Sequence, residues 1–301
     1  MRLAFVADIH GNLPALEAVL TDLAQQAPDA VYLVGDQINR CPWNNEVLDL
    51  LAEQAWPAIA GNHELVVGII GTPRNHPPFT DRNRFAVLWW TWETLRDEHL
   101  TAIRDLPRER TIHVPGAPAI RLVHGIPGNA EIGFFPGLDD ATMCELLTGV
   151  EEPVVVAGHT HRPLQRTLPR PVGRWQVFNG GSVGLPYNGD PRAQYLLLDL
   201  VHDAGTTHWR PTFRQLDYDH EQVAKAYLTS GLLDAAGPLA ELDLLKVQTG
   251  YPWSSDFGIW MRTQPRTMRA DMGNAIQTYL AQHGPGNWAF DERKRAAEAR
   301  S

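Results

Sequence analysis

In the first third of the chain, apolar residues alternate between short continuous runs and segments with helical spacing. Leu3 to Ala7 is an unbroken apolar run, the pattern of a strand buried on both faces. Leu16, Val19, Leu20 and Leu23 then recur at i, i+3, i+4 and i+7, one face of a helix, with Pro14 suited to its first turn. Ala30 to Val34 predicts a second buried strand, Val47 to Leu51 a short helix and Pro57 to Ala60 a third strand. This βαβαβ order implies a parallel sheet with right-handed crossovers.

Gly71 to Pro78 reads as a loop, and Phe85 to Leu95 as a helical aromatic segment whose Trp89, Trp90 and Trp92 read as core residues, with the lining of a cleft as the competing reading. The chain returns to strands between Arg110 and Val123, turns helical over Leu138 to Leu147, and has a short apolar strand at Val154 to Ala157. Leu164 to Leu168, Trp175 to Phe178, Tyr195 to Leu200 and His208 to Phe213 predict a second, antiparallel sheet. Beyond Asp217 the pattern is helical, ending in a charged, Ala-rich run from Asp291 to Ser301 that should fray. The expected division is a larger domain over residues 1–215, with a helical extension over 216–301 packed on that same domain.

Composition narrows the function classes. Hydrophobic residues make up 44% and charged residues 20%, enough for a substantial core. A net charge of −9 argues against stable nucleic-acid binding, which needs a basic surface. Cys41 and Cys144 are in no metal-binding spacing and suggest a reducing compartment. The N-terminus lacks the apolar core of a signal peptide, and no apolar stretch is long enough for a membrane span. The expectation is a cytoplasmic protein with no membrane partner, for which a homo-oligomer is compatible.

The side chains that could carry chemistry follow strands. Asp8 and His10 follow the first, Asp36 the second, Asn62 and His63 the third. His124 follows the strand ending at Val123, and His159 and His161 follow Val154 to Ala157. Ligands of open α/β sheets bind beyond the carboxyl ends of strands, so these loops should converge on one edge. Imidazoles, carboxylates and an amide oxygen, with no thiolate, suit borderline divalent ions: Mn, Fe, Zn, Co or Ni. Seven ligands (Asp8, His10, Asp36, Asn62, His124, His159, His161) are too many for one tetrahedral zinc and about right for two ions sharing a carboxylate. Two dications, two aspartates and a bridging hydroxide leave a residual charge of about +1, which favours an anionic phosphoryl group.

Five blocks stand in order: Asp8-Ile9-His10, Gly35-Asp36, Gly61-Asn62-His63-Glu64, His124-Gly125 and Gly158-His159-Thr160-His161. Together they resemble the calcineurin-like metallophosphoesterases, in particular a bacterial phosphodiesterase-like branch, whose Gly-Ser-rich turn is similar to Asn179 to Gly184. The resemblance implies a four-layer α/β/β/α sandwich of two mixed sheets with metals at one edge. It assigns Asp8, His10 and His161 to one ion, Asn62, His124 and His159 to the other, and Asp36 to both, with Mn favoured. It gives His63 a catalytic role, contacting phosphate and protonating or steering the leaving oxygen. Arg40 matches a phosphate-binding arginine of the protein-phosphatase branch, and a structural ion pair is the competing reading. That branch places an aspartate where this chain has Asn39, which counts against a protein phosphatase.

The implied function is hydrolysis of a small phosphoester by in-line attack of a metal-bridging hydroxide, with ions roughly 3.5–4 Å apart. Phosphodiesterase activity is favoured, with a phosphomonoesterase or Ser/Thr-type protein phosphatase as the alternative. A reading of another class is a non-catalytic scaffold, as in the retromer subunit of this fold. The complete ligand set and His63 favour the enzyme. Residues 67–106 and 217–290 match no motif.

Overall fold

The computed structural model describes residues 1–203 and 205–284; the charged run from Asp291 to Ser301 lies outside them. The chain begins β1 (Arg2–Val6), α1 (Leu13–Gln26), β2 (Ala30–Leu33), α2 (Asn44–Gln54) and α3 (Asn62–Ile69). It continues with α4 (Ala86–Thr94), α5 (Asp97–Arg104), β3 (Glu109–Ile112), β4 (Ile120–Val123) and α6 (Asp140–Leu146). Four strands follow β5 (Val154–Ala157): β6 (Pro163–Pro169), β7 (Arg174–Gly180), β8 (Ala193–Asp203) and β9 (Thr206–Leu216). Helices complete it: α7 (His220–Thr229), α8 (Leu232–Ala236), α9 (Pro238–Thr249), α10 (Trp253–Arg262), α11 (Arg266–Ala270) and α12 (Met272–His283).

Two mixed sheets lie face to face, in orders β2-β1-β8-β9 and β3-β4-β5-β7-β6. The pleat of β1 explains the layering. Leu3 and Phe5 join Leu122, Val154, Val156 and Phe178 between the sheets. Their alternates Ala4 and Val6 pack outward on Leu16, Val19 and Leu23 of α1. In the second sheet, Val155 and Val177 turn outward onto Met143 and Leu147. Each fully buried large apolar side chain contributes about 1.5–3 kcal/mol, so this inter-sheet layer holds the two strand edges in register. The result is the expected α/β/β/α order. Asn12 starts α1 by accepting a hydrogen bond from the Ala15 amide at 3.3 Å, and Pro14 lies in its first turn.

Two expectations need correction. Pro57 to Ala60 is not a strand; it meets β2 only through one bridge, Leu33 to Ala58. Pro57 offers no amide, and the Ala60 amide turns away to the Pro107 carbonyl, so pairing ends there. The later strands do not form a separate antiparallel sheet. β7 pairs parallel with β5, while the β8–β9 hairpin joins the first sheet because β8 pairs antiparallel with β1. Residues 193–198 are buried without alternation, as a strand flanked on both sides requires. The crossing from β7 to β8 carries residues 181–192 past the ends of β1 and β5.

Helices α7 to α9 pack Val223, Tyr227, Ala240 and Val247 onto Cys41, Val87 and Leu185. Trp253, Phe257, Ile276 and Tyr279 form a further cluster within the helical region. Trp89 and Trp92 pack on Val66, Val67 and Ile70, and Trp90 on the α7–α9 cluster, so the aromatic segment is structural packing. No helix among the described residues is long and apolar enough to cross a membrane.

Candidate metal centre

The seven candidate side chains meet at the carboxyl edge of both sheets. Asp8, His10, Asp36 and His161 form one group of potential ligand atoms; Asp36, His124 and His159 form a second. Asp36 belongs to both. Its Oδ2 lies 3.7 Å from His10 Nε2 and 3.2 Å from His124 Nε2. Its Oδ1 instead accepts the His63 amide at 2.9 Å, so one oxygen is anchored and the other faces both groups. His10 Nε2 and His161 Nε2 face each other at 3.1 Å, and His161 Nε2 is 3.4 Å from Asp8 Oδ1. Asn62 Oδ1 completes the second group, 3.0 Å from both His124 Nε2 and His159 Nδ1.

Backbone contacts decide which imidazole atom points inward. Nδ1 of His124 reaches the Val34 carbonyl at 2.8 Å, and Nδ1 of His161 reaches the Leu185 carbonyl at 2.5 Å. Donation there leaves each Nε2 lone pair for the centre. The Tyr187 ring stacks on His161 at 4.3 Å and fixes its plane. The Gly-Ser-rich turn pins the first loop: Ser182 Oγ donates to the Asp8 carbonyl at 2.7 Å. Gly184 passes so near Ile9 that a Cβ would stand 1.9 Å from its carbonyl oxygen.

Five of the seven candidates have left-handed backbone: Asp8 (φ 56°), His10 (54°), Asp36 (52°), His159 (68°) and His161 (56°). Such residues cost about 1–3 kcal/mol each and persist where the surroundings over-determine them. Here Glu64 is one such restraint. Its carboxylate accepts the amides of Asp36 (2.8 Å), Gln37 (2.7 Å) and Gly61 (2.7 Å), clamping together the two loops that carry Asp36 and Asn62. A Cβ at Gly61 would fall 2.1 Å from Asp36 Oδ1, so only glycine allows this approach.

A family model described as calcineurin-like phosphoesterase matches residues 1–163, more than half of the chain. The chain belongs to that family. This phosphoesterase is 29% identical over 209 residues to phosphodiesterase YfcE of Escherichia coli K12, covering 66% of its own length and 88% of that protein. It is 26% identical over 211 residues to the uncharacterized protein MJ0912 of Methanocaldococcus jannaschii, covering 65% and 82%. Among solved structures, it resembles a metallophosphoesterase from Sphaerobacter thermophilus at 25% identity and TM-score 0.63, covering 83% of this chain and 99% of that one. PH1004 from Pyrococcus horikoshii shares the fold at TM-score 0.67 and 23% identity, covering 82% and 98%.

Electrostatics in this phosphoesterase fit a cationic occupant. Burial disfavours charge on His10 and His159, and both lie below the ordinary histidine range, as neutral ligands require. Burial would lower His124 too, yet Asp36 and then Asp8 raise it to about 10. That nitrogen therefore demands positive charge, which a proton or a metal cation can supply.

His63 and Arg40 flank the group without joining it. Burial lowers His63 to about 3, so the ring is neutral. Asn39 Nδ2 lies 2.5 Å from His63 Nδ1, and Thr91 Oγ1 lies 2.9 Å from Asn39 Oδ1 and 3.0 Å from the Val87 carbonyl, two acceptors for its one proton. With the amide nitrogen as donor, His63 keeps its proton on Nε2, which faces the centre 3.9 Å from Asp36 Oδ2. Arg40 Nη1 is 3.3 Å from Asp243 Oδ2 of α9, which makes the ion-pair reading of Arg40 real. Cys41 is buried, its thiol pushed up to about 12 by burial, and acts as packing. The motifs did not reveal Tyr187, Thr91, Asp243 or the clamp role of Glu64. Only Glu64 lay inside a motif, where it read as a group orienting His63 or as an acid at a helix start, not as a clamp on two loops.

Proposed function

We propose that this phosphoesterase is a dinuclear metal-dependent hydrolase of small phosphoesters, with phosphodiesters favoured over monoesters. The observation that carries this reading is the double membership of Asp36, whose Oδ2 faces both ligand groups while Oδ1 is anchored. Asp8, His10 and His161 would hold one ion, Asn62, His124 and His159 the other, with manganese favoured among Mn, Fe, Zn, Co and Ni. Two such ions would acidify water and neutralise phosphoryl charge. His63, neutral and protonated on Nε2, donates a hydrogen bond toward the phosphoryl group or its leaving oxygen. Arg40 supplies positive charge to a non-bridging oxygen. Residues 1–215 form the catalytic unit in this reading, and 216–301 an extension of the same domain.

Two features support a diester. Asn39, unlike an aspartate, does not stabilise a His63 imidazolium to serve as a strong acid. Arg40 is the one cation the motifs supply near the centre. A monoester dianion gains more from that cation than a diester monoanion does. Kinetics of Arg40→Ala on matched aryl mono- and diesters test this: the monoester rate should fall further. Equal losses, or a wild-type enzyme strongly selective for monoesters, would contradict it.

A further inference from the structure

The helical region past Asp217 matches no motif, yet it grips one residue of the candidate site from two sides. Asn39 and Arg40 are consecutive left-handed residues (φ 72° and 84°), an arrangement that needs external support. Tyr227 of α7 donates its hydroxyl proton to the Arg40 carbonyl at 2.9 Å. Asp243 of α9 receives Arg40 Nη1 on both oxygens, at 3.3 and 3.5 Å.

Asp243 is 1% exposed and does not need Arg40 for neutrality. Lys246, one turn further along α9 and also 1% exposed, forms an ion pair with Asp243 Oδ1 and donates to Ser254 Oγ at 2.9 Å. The pairing of Arg40 is thus a second contact on an acid already balanced, long and made through a single nitrogen. Among the described residues, Arg40 Nε and Nη2 have no protein partner, and a third of the side chain is exposed. The three groups together carry a charge of about +1. If Arg40 leans toward an anion, Lys246 still compensates Asp243, so no buried charge is stranded.

We propose that Asp243 is a positioning residue: it holds Arg40 so that the free guanidinium edge meets a substrate phosphoryl oxygen, making α9 part of the specificity apparatus. This rests on the functional reading above, in which Arg40 contacts phosphate.

The test is a double-mutant cycle on the full-length, manganese-loaded protein, comparing wild type, Arg40→Ala, Asp243→Asn and the double variant. Readouts are inorganic phosphate affinity by calorimetry, KM and kcat on an aryl monoester, and metal per chain. Asp243→Asn should weaken phosphate binding and raise KM by about five- to twentyfold, with kcat changed less than about threefold and metal content unchanged. In the Arg40→Ala background it should have no further effect. Additive losses, or unaltered phosphate affinity in Asp243→Asn, overturn the proposal. Should Asp243→Asn fail to fold, Asp243→Asn/Lys246→Met removes both buried charges and faces the same criteria. A wild type that binds no metal would overturn the functional reading and this inference with it; a metal-replete wild type that fails the cycle overturns this inference alone.

Discussion

Asn39 sets the character of His63. As an amide donor to Nδ1 it favours the neutral ring, whereas a carboxylate would favour the imidazolium. Held at about 3, wild-type His63 stays uncharged across neutral pH, so it contributes no limb to the pH–rate profile between pH 5 and 8. Asn39→Asp should raise the histidine and create such a limb, with kcat on a poor, alkyl leaving group falling as pH rises through the new value. A flat profile in that variant would show that Asn39 does not govern His63. His63→Ala should leave metal content near wild type while lowering turnover by about 10²–10⁴-fold, more for alkyl than aryl leaving groups. Loss of a metal ion in that variant would mean that His63 is a ligand. The role of Asn39 was half visible in the sequence: the departure from an aspartate showed, but Thr91, whose hydroxyl contacts the Asn39 amide, stands 52 residues away, in a segment without a motif.

At the scale of elements, the loops that bring the candidate side chains together were legible because each follows a short apolar run and carries its own glycine. The four strands behind them, β1, β2, β4 and β5, stand where those runs predicted. The third strand failed because Pro57 ends pairing, and the later strands were mis-sorted because an apolar run does not say which sheet it joins. The restraint between loops was also invisible, since Glu64 reads locally as an acid at a helix start. Glu64→Gln tests it. The amide replaces an acceptor with a donor facing backbone N–H groups, so unfolding free energy should drop by about 1–3 kcal/mol. Metal affinity should weaken by about 10–100-fold, as for other groups that orient ligands. Unchanged metal affinity by chelator competition would show that the clamp does not support the centre.

Over the whole molecule, contacts far apart in sequence join the sandwich to its helices. Asp22 of α1 binds Arg214 Nε at 2.9 Å and accepts the Tyr195 hydroxyl at 2.6 Å, tying helix to hairpin. Burial opposes the charge, but Arg214 and then Tyr195 hold Asp22 below the ordinary carboxylate range. A depressed carboxylate stabilises the fold above its unfolded value, about 3.9, and loses that contribution as pH falls through the folded value. Asp22→Asn should therefore cost about 1–3 kcal/mol at pH 7 and progressively less below about pH 4. A pH-independent difference by denaturant titration would assign the loss to packing alone. The central claim, two ions around Asp36, has its own direct measurement. Purified protein should carry close to two transition-metal ions per chain, and Asp36→Asn should lower both, with hydrolysis of an aryl diester lost on chelation and restored by manganese. Full activity in metal-free protein, or a single ion per chain that survives Asp36→Asn, would contradict the account.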